Sequence, residues 1–224
     1  MMARSGMVTL RVPVSLLAAG GLVLTPLVHP ASAGETAPTV AVSPVIVATI
    51  AVGQLPGTPL LDATTHHLYV PNLRSDSITV VDTSTNSVAG TIHLTSSPWI
   101  MGLAPIRGHL YVQEGSNSVT VIDTTTNSAV SSIRVGKDPT DAVIDVDKGR
   151  LIVLNGTSSS ISVINTATNS VTATIKVTPP GSELALDAGL GLLYTDYNTA
   201  RGMGVSVISI RSNRVIGHIS TPRD

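Results

Sequence analysis

The feature that most constrains this chain is a unit that recurs every 41 to 44 residues. One copy reads Ser77-Ile-Thr-Val-Val-Asp82-Thr-Ser-Thr-Asn86, the next Ser118-Val-Thr-Val-Ile-Asp123-Thr-Thr-Thr-Asn127, and the third Ser160-Ile-Ser-Val-Ile-Asn165-Thr-Ala-Thr-Asn169. A divergent fourth runs Val205-Ser-Val-Ile-Ser209-Ile-Arg-Ser-Asn213. Each unit divides into four short β-branched runs bounded by Gly, Pro, Asn, Asp and Ser, the pattern of strands joined by tight turns. The first run follows a proline (Gly57–Ala63, Trp99–Ala104, Thr140–Val146) or, in the last unit, spans Glu183–Ala188. The second begins Leu68-Tyr69, Leu110-Tyr111, Leu151-Ile152 and Leu193-Tyr194, the third is the run quoted above, and the fourth covers Val88–Leu94, Ala129–Val135, Val171–Val177 and Val215–Ile219. Four antiparallel strands repeated at this period make blades, so the expected fold is an all-β propeller.

Asp82 and Asp123 look like catalytic acids, but Asn165 and Ser209 stand at their position in later copies. All of these side chains accept hydrogen bonds from nearby backbone N–H groups, whereas a catalytic carboxylate is not interchangeable with Ser. They are therefore read as the acceptors that shape the turn between third and fourth strands.

Residues 1–33 carry Arg4 and Arg11, an apolar stretch from Val12 to Val28, and the small residues Ala31-Ser32-Ala33, the layout of a secretory signal peptide. Residues 34–44 read as a linker and 45–224 as the repeat domain. Without the leader the chain has 11 basic and 14 acidic residues, net −3, which gives no basic face for nucleic acid. No transmembrane anchor is expected after cleavage. Cysteine and Phe are absent, so the core must be built from Val, Ile, Leu and Ala without disulfides.

Leu68-Tyr69-Val70-Pro71-Asn72, Ile161-Ser162-Val163-Ile164-Asn165-Thr166 and Ala173-Thr174-Ile175-Lys176-Val177 resemble the YVTN-type β-propeller repeat, over about residues 45–220. The resemblance implies a secreted, periplasmic or cell-surface protein of bacterial type that binds a ligand or partner, and it carries no family-wide catalytic residue. It also implies about seven blades, within the usual range, whereas four units are present here. Val45–Gly53 matches a fourth, outer strand, so the count is four blades plus one extra N-terminal outer strand, which favours an incomplete propeller over a four-bladed ring with a redundant strand or a ring completed by two chains. Open blade edges of this kind invite self-association.

No metalloprotease, nucleophile-elbow, phosphate-loop or calcium-loop motif occurs, and no cofactor or metal site is expected. His66 and His67 are adjacent and would point to opposite sides of a strand, so they cannot chelate together. Candidate ligand-binding residues come from the loops that enter the first strand and join the second to the third: Trp99, Arg74, Glu114, Asp138, Asp141, Asp196, Tyr197 and Arg201. The segment Asp196–Gly204 departs from the repeat and is read as an enlarged loop, and such departures tend to carry function. The leading expectation is a non-enzymatic scaffold that binds a protein, glycan or small ligand through these loops. The alternatives are a propeller-type hydrolase, lactonase or lyase, which would need clustered carboxylates or His, and a truncated propeller without independent function.

Overall fold

The computed structural model describes residues 6–10, 46–104, 107–179, 181–199 and 202–221. The rest of the expected leader, the linker and Arg201 lie outside the described residues. A short pair, β1 (Gly6–Leu10) and β2 (Ala48–Val52), precedes four antiparallel four-stranded sheets. Blade 1 comprises β3 (Leu60–Asp62), β4 (His67–Asn72), β5 (Ser77–Asp82) and β6 (Ser87–His93). Blade 2 is β7 (Pro98–Ala104), β8 (His109–Glu114), β9 (Ser118–Asp123) and β10 (Ser128–Arg134). Blade 3 is β11 (Pro139–Asp145), β12 (Arg150–Asn155), β13 (Ser160–Asn165) and β14 (Ser170–Lys176). Blade 4 is β15 (Leu184–Asp187), β16 (Leu192–Thr199), β17 (Gly202–Ser209) and β18 (Arg214–Thr221). Each sheet is ordered as its strands occur in the chain, and no α-helix is found among the described residues.

The repeated letters have repeated local causes. Asp82 Oδ1 accepts from the Ser84 N–H (2.8 Å), Asp123 Oδ1 from Thr125 (2.7 Å) and Asn165 Oδ1 from Ala167 (2.8 Å), while Ser209 Oγ accepts from Ser212 (3.3 Å). Three residues beyond the Thr or its equivalent, Asn86, Asn127, Asn169 and Asn213 adopt φ of 54°, 52°, 49° and 53°, a left-handed conformation that Asn tolerates better than other side-chain-bearing residues. The turn-forming role expected of these residues is the one they have. In every blade the pairing of third and fourth strands then slips by one residue, leaving Ala89, Val130, Thr172 and Ile216 unpaired. Such bulges sharpen the twist a blade needs, and they turn Val130 (53% exposed) and Ile216 (58%) out to solvent.

Blades pack face to face. Tyr69, Ile78, Val80 and Ile92 of blade 1 meet Leu110, Val112 and Ile122 of blade 2. Tyr111, Val119, Val121 and Ile133 of blade 2 meet Leu151, Val153 and Ile164 of blade 3. Ile152, Ile161, Val163 and Ile175 of blade 3 meet Leu193 and Ile208 of blade 4. On the inner side, β7 packs against β3 and β11, and β11 against β15.

The extra strand takes the place its sequence implies. Ile50 and Val52 of β2 pack on Leu68, Val70 and Val81, the face of blade 1 equivalent to the one Ile92 covers on blade 2. β2 is thus the fourth strand of a blade that would precede blade 1, and β1 pairs with it antiparallel, Val8 opposite Ile50. At the other end the outer face of blade 4 is uncovered: Ile219 is 60% exposed, against 4% for Ile92, 4% for Ile133 and 1% for Ile175 at the same repeat position. The chain is an open propeller arc.

One expectation needs correction. Asp196–Gly204 is not an enlarged loop: β16 and β17 extend into a longer hairpin, with Tyr197 opposite Gly204, Asn198 opposite Met203 and Thr199 opposite Gly202. The insertion lengthens both arms in register, so backbone pairing continues. Gly204 permits it, because a Cβ there would lie 2.1 Å from the Ile219 carbonyl oxygen and 2.8 Å from the Tyr197 hydroxyl.

Candidate binding face

The loops entering each first strand and the turns joining second to third strands share one end of the arc, and they are bound to each other blade by blade. In blades 1 and 3 the N–H groups of Gln54 and Lys137 donate to Ser75 Oγ (3.1 Å) and Ser158 Oγ (3.0 Å). Beneath them lie Asn72 and Asn155, both fully buried. Asn72 Nδ2 donates to Thr79 Oγ1 and Asn155 Nδ2 to Ser162 Oγ, each at 3.0 Å. Gly53 and Gly136 pass directly over these amides: a Cβ would stand 2.6 Å from Asn72 Cγ and 2.7 Å from Asn155 Cγ. Burial of Asn155 also removes its Asn-Gly-Thr sequon from the surface.

Glu114 holds the corresponding place in blade 2 with reversed polarity. Its carboxylate accepts from the Thr95 N–H (2.6 Å), the Thr95 hydroxyl and Thr120 Oγ1 (2.7 Å). Burial pushes this carboxyl up, but hydrogen bonds from Thr95 and Thr120 outweigh it and hold the group below the usual glutamate range. In blade 4, one residue earlier in register, Asp196 accepts from the N–H groups of Ser182 (2.8 Å) and Glu183 (2.9 Å) and from Ser182 Oγ (2.8 Å). Burial again raises the carboxyl, and these donors bring it below the usual aspartate range. Asp141 stitches two blades: Oδ2 accepts from the Leu184 N–H of β15 at 2.6 Å, Oδ1 from Ala142 at 2.8 Å. Three of the candidate carboxylates therefore organise the rim itself.

The remaining candidates are more available. Trp99, the only Trp, lies at the rim end of β7 and is 46% exposed. Arg74 and Asp138 are exposed. Asp138 has a left-handed backbone (φ 56°), and its carbonyl accepts from the Gly156 N–H at 2.7 Å. Tyr197 is half-buried with its ring edge-on to His218, centroids 5.7 Å apart. Backbone register brings Trp99 beside Glu114, since Pro98 pairs with Glu114 and Trp99 with Gln113. It sets Asp138 and Asp141 at the start of β11 and Asp196 and Tyr197 on opposite sides of β16. The candidates do not converge into one pocket. A cleft on this face, lined by Thr95, Ser96, Ser118, Thr120 and Ser131, holds Glu114 and none of the others. Among the described residues, no group of three or more His, Asp and Glu is placed to hold a metal ion.

Sequence reasoning missed the opposite end of the arc. Two shallow clefts flank the Asp145–Gly149 turn there, one reaching Arg107 and the other Arg211. Between them Asp145, 2% exposed, accepts a 2.6 Å ion-pair hydrogen bond from Arg150. The readable signal was the charged run Asp145-Val-Asp147-Lys148-Gly149-Arg150 where blade 1 has Asp62-Ala-Thr-Thr-His-His67.

No protein-family model and no curated protein matches the chain. Solved structures do. The chain is similar to Kuenenia stuttgartiensis hydrazine synthase, with 24% identity and a TM-score of 0.63, over 70% of this chain and 46% of that one. It is also similar to the dihydro-heme d1 dehydrogenase NirN in complex with DHE, with 12% identity and a TM-score of 0.65, over 80% of this chain and 40% of that one. The chain thus spans less than half the length of either. At these identities the likeness establishes the fold: a β-propeller built of four-stranded antiparallel blades.

Proposed function

We propose that the chain is a secreted, non-enzymatic propeller scaffold of the YVTN type that binds a protein, glycan or small ligand through its rim loops, with Trp99 as the anchor. The observation that carries this reading is how the rim divides its side chains. Glu114, Asp141 and Asp196 are occupied by loop N–H and hydroxyl donors, which fix the loops, while Trp99 leaves 46% of its surface outward. A rigid, partly exposed indole with Arg74 and Asp138 exposed on neighbouring loops supplies contact area at low conformational cost, as binding hot spots do. Hydrolytic catalysis would require carboxylates free to act on substrate, and these three are held below their usual range or engaged in backbone bonds. Secretion is supported by the leader-like segment 1–33.

The unique Trp provides its own reporter. The exported chain is titrated with a panel of glycans and envelope proteins while indole emission is followed. A ligand that shifts the emission and loses at least about tenfold in affinity in Trp99→Ala, roughly the 1.4 kcal/mol of a modest hot spot, supports the reading. A ligand bound with full affinity by Trp99→Ala and without change in emission would overturn it. Mass spectrometry of the exported chain is expected to show Gly34 as its first residue.

A further inference from the structure

The two ends of the arc are complementary. Each internal junction uses the same side chains: a Tyr or Ile on the second strand, two β-branched residues on the third and an Ile on the fourth cover the Leu, Val or Ile face of the next blade. Blade 4 carries the same set on its uncovered face. Leu193 and Ile208 point into the junction with blade 3, so alternation turns Tyr194, Val205 and Val207 outward, and Ile219 lies opposite Val205. On blade 1, β2 supplies only the last member of the set, Ile50, which lies over Leu68, Val70 and Val81.

The turns match as well. Tyr111 of blade 2 reaches across its junction and donates to Asn169 Oδ1 in the turn of blade 3 at 2.9 Å. By repeat position, the tail of the arc offers Tyr194 as a donor and the head offers Asn86 as the acceptor.

We infer that two copies of this chain close head to tail into one ring, β15, β16 and β17 of each copy completing the blade whose fourth strand is β2 of the other. Two arcs of four blades make eight, within the range of about four to eight that closed propellers adopt. A head-to-tail contact that closes gives a finite ring and removes both open faces. β2 and β18 compete for one place in this arrangement. β2 fits it better: Ile50 and Val52, each 8% exposed, match Ile175 and Val177 of the blade 3 junction, whereas β18 leaves Ile219 60% exposed. β18 gives up its seven-pair ladder to β17 and the five-residue β2 takes its place, so the backbone bonds are largely exchanged and burial of Ile50 and Val52 must offset the remainder. β1 fills the third-strand place only while residues 6–10 remain on the chain, so the inference rests on the leader reading above.

The test uses the full chain exported and processed by its host, with its N-terminus read by mass spectrometry and its size by light scattering after size exclusion. Twice the chain mass is expected. A chain that begins at Gly34 and remains monomeric overturns the ring alone, whereas one that keeps residues 1–33 and remains monomeric overturns both readings. Strand exchange is tested in the same cysteine-free background by Thr49→Cys with Ser206→Cys. Within one copy Thr49 opposes Thr9 and Ser206 opposes His218. By the register of Thr79 with Thr91, Thr49 and Ser206 become cross-strand neighbours only at the inferred junction. Oxidation is expected to give one covalent dimer, and a ladder of higher species or an uncrosslinked chain overturns the closed ring. Val207→Lys is expected to give monomers with unchanged β circular dichroism, while Leu190→Lys, on an exposed turn, keeps the dimer. A dimeric Val207→Lys overturns the inference.

Discussion

Ile92, Ile133, Ile175 and Ile219 hold the same repeat position, and the structure gives them opposite environments. Replacing Ile175 by Ala removes three carbons from a side chain that is 1% exposed among Ile152, Leu154 and Ile208. At about 0.8 kcal/mol per methylene the transfer loss is about 2.4 kcal/mol, and the cavity left in a packed junction raises it to roughly 3–4 kcal/mol. Ile133→Ala and Ile92→Ala, each at 4% exposure, should cost nearly as much. Ile219 keeps 60% of its surface in water, so the same substitution loses less than half the transfer term and opens no closed cavity, a cost of about 1 kcal/mol or less. The assay is urea unfolding followed by circular dichroism, with midpoints compared at equal m-value, so that a change in the unfolded state is not mistaken for a change in packing. In thermal melts the gap of roughly 2–3 kcal/mol should separate Ile175→Ala from Ile219→Ala by about 4–12 °C for a domain of this size. If Ile219→Ala is as costly as Ile175→Ala, β18 is packed like the other fourth strands and the reading of it as an uncovered last strand is wrong.

Other substitutions probe the rim and the turns. Gly136→Ala should lower stability by about 1–3 kcal/mol in the same urea assay, because its Cβ would meet Asn155 Cβ and Cγ at 2.7 Å; a neutral result would show that the buried amide can move aside. Glu114 has a folded pKa below its ordinary value of 4.5, so its contribution to stability is present above 4.5 and is lost as pH falls through the lower folded value. Glu114→Gln should therefore be less stable at neutral pH and show a flatter acid limb in pH-dependent melts. Asn169→Val forces a β-branched residue to a φ of 49° and deletes the acceptor of Tyr111, and should cost about 2 kcal/mol, while Asn169→Gly should cost less than half of that.

The fold was legible because its information is local and repeated. The period, the Asp, Asn and Ser turn acceptors and the left-handed Asn residues each act within a few residues, and they recur in register through all four units. The placement of β2 was legible for the same reason, since Ala48-Thr-Ile-Ala-Val52 carries the pattern of Ala173-Thr-Ile-Lys-Val177. The Asp196–Gly204 segment was misread because departure from a repeat resembles a loop in sequence, whereas an insertion that keeps strand register extends a hairpin. The rim carboxylates were harder to place. Whether Glu114 or Asp141 faces a ligand or a neighbouring N–H depends on a partner 19 or 43 residues away, which no local pattern encodes. Asn72 is a letter of the repeat motif, and it and Asn155 are buried pillars beneath the rim, a role visible only once Gly53 and Gly136 are seen crossing above them.

The central claim, an arc of four blades held by three equivalent junctions and ending in an uncovered β18 within each copy, is tested most directly by native-state amide hydrogen exchange read by mass spectrometry. Strands β8, β9, β12 and β13 lie between packed junctions, and their buried ladders should exchange slowest, near the limit set by global unfolding. β18, with Ile216 and Ile219 exposed, should exchange fastest among the fourth strands and well ahead of β14. Protection of β18 equal to that of β14 would contradict the account, because it would mean that β18 itself is covered in the way the first three fourth strands are.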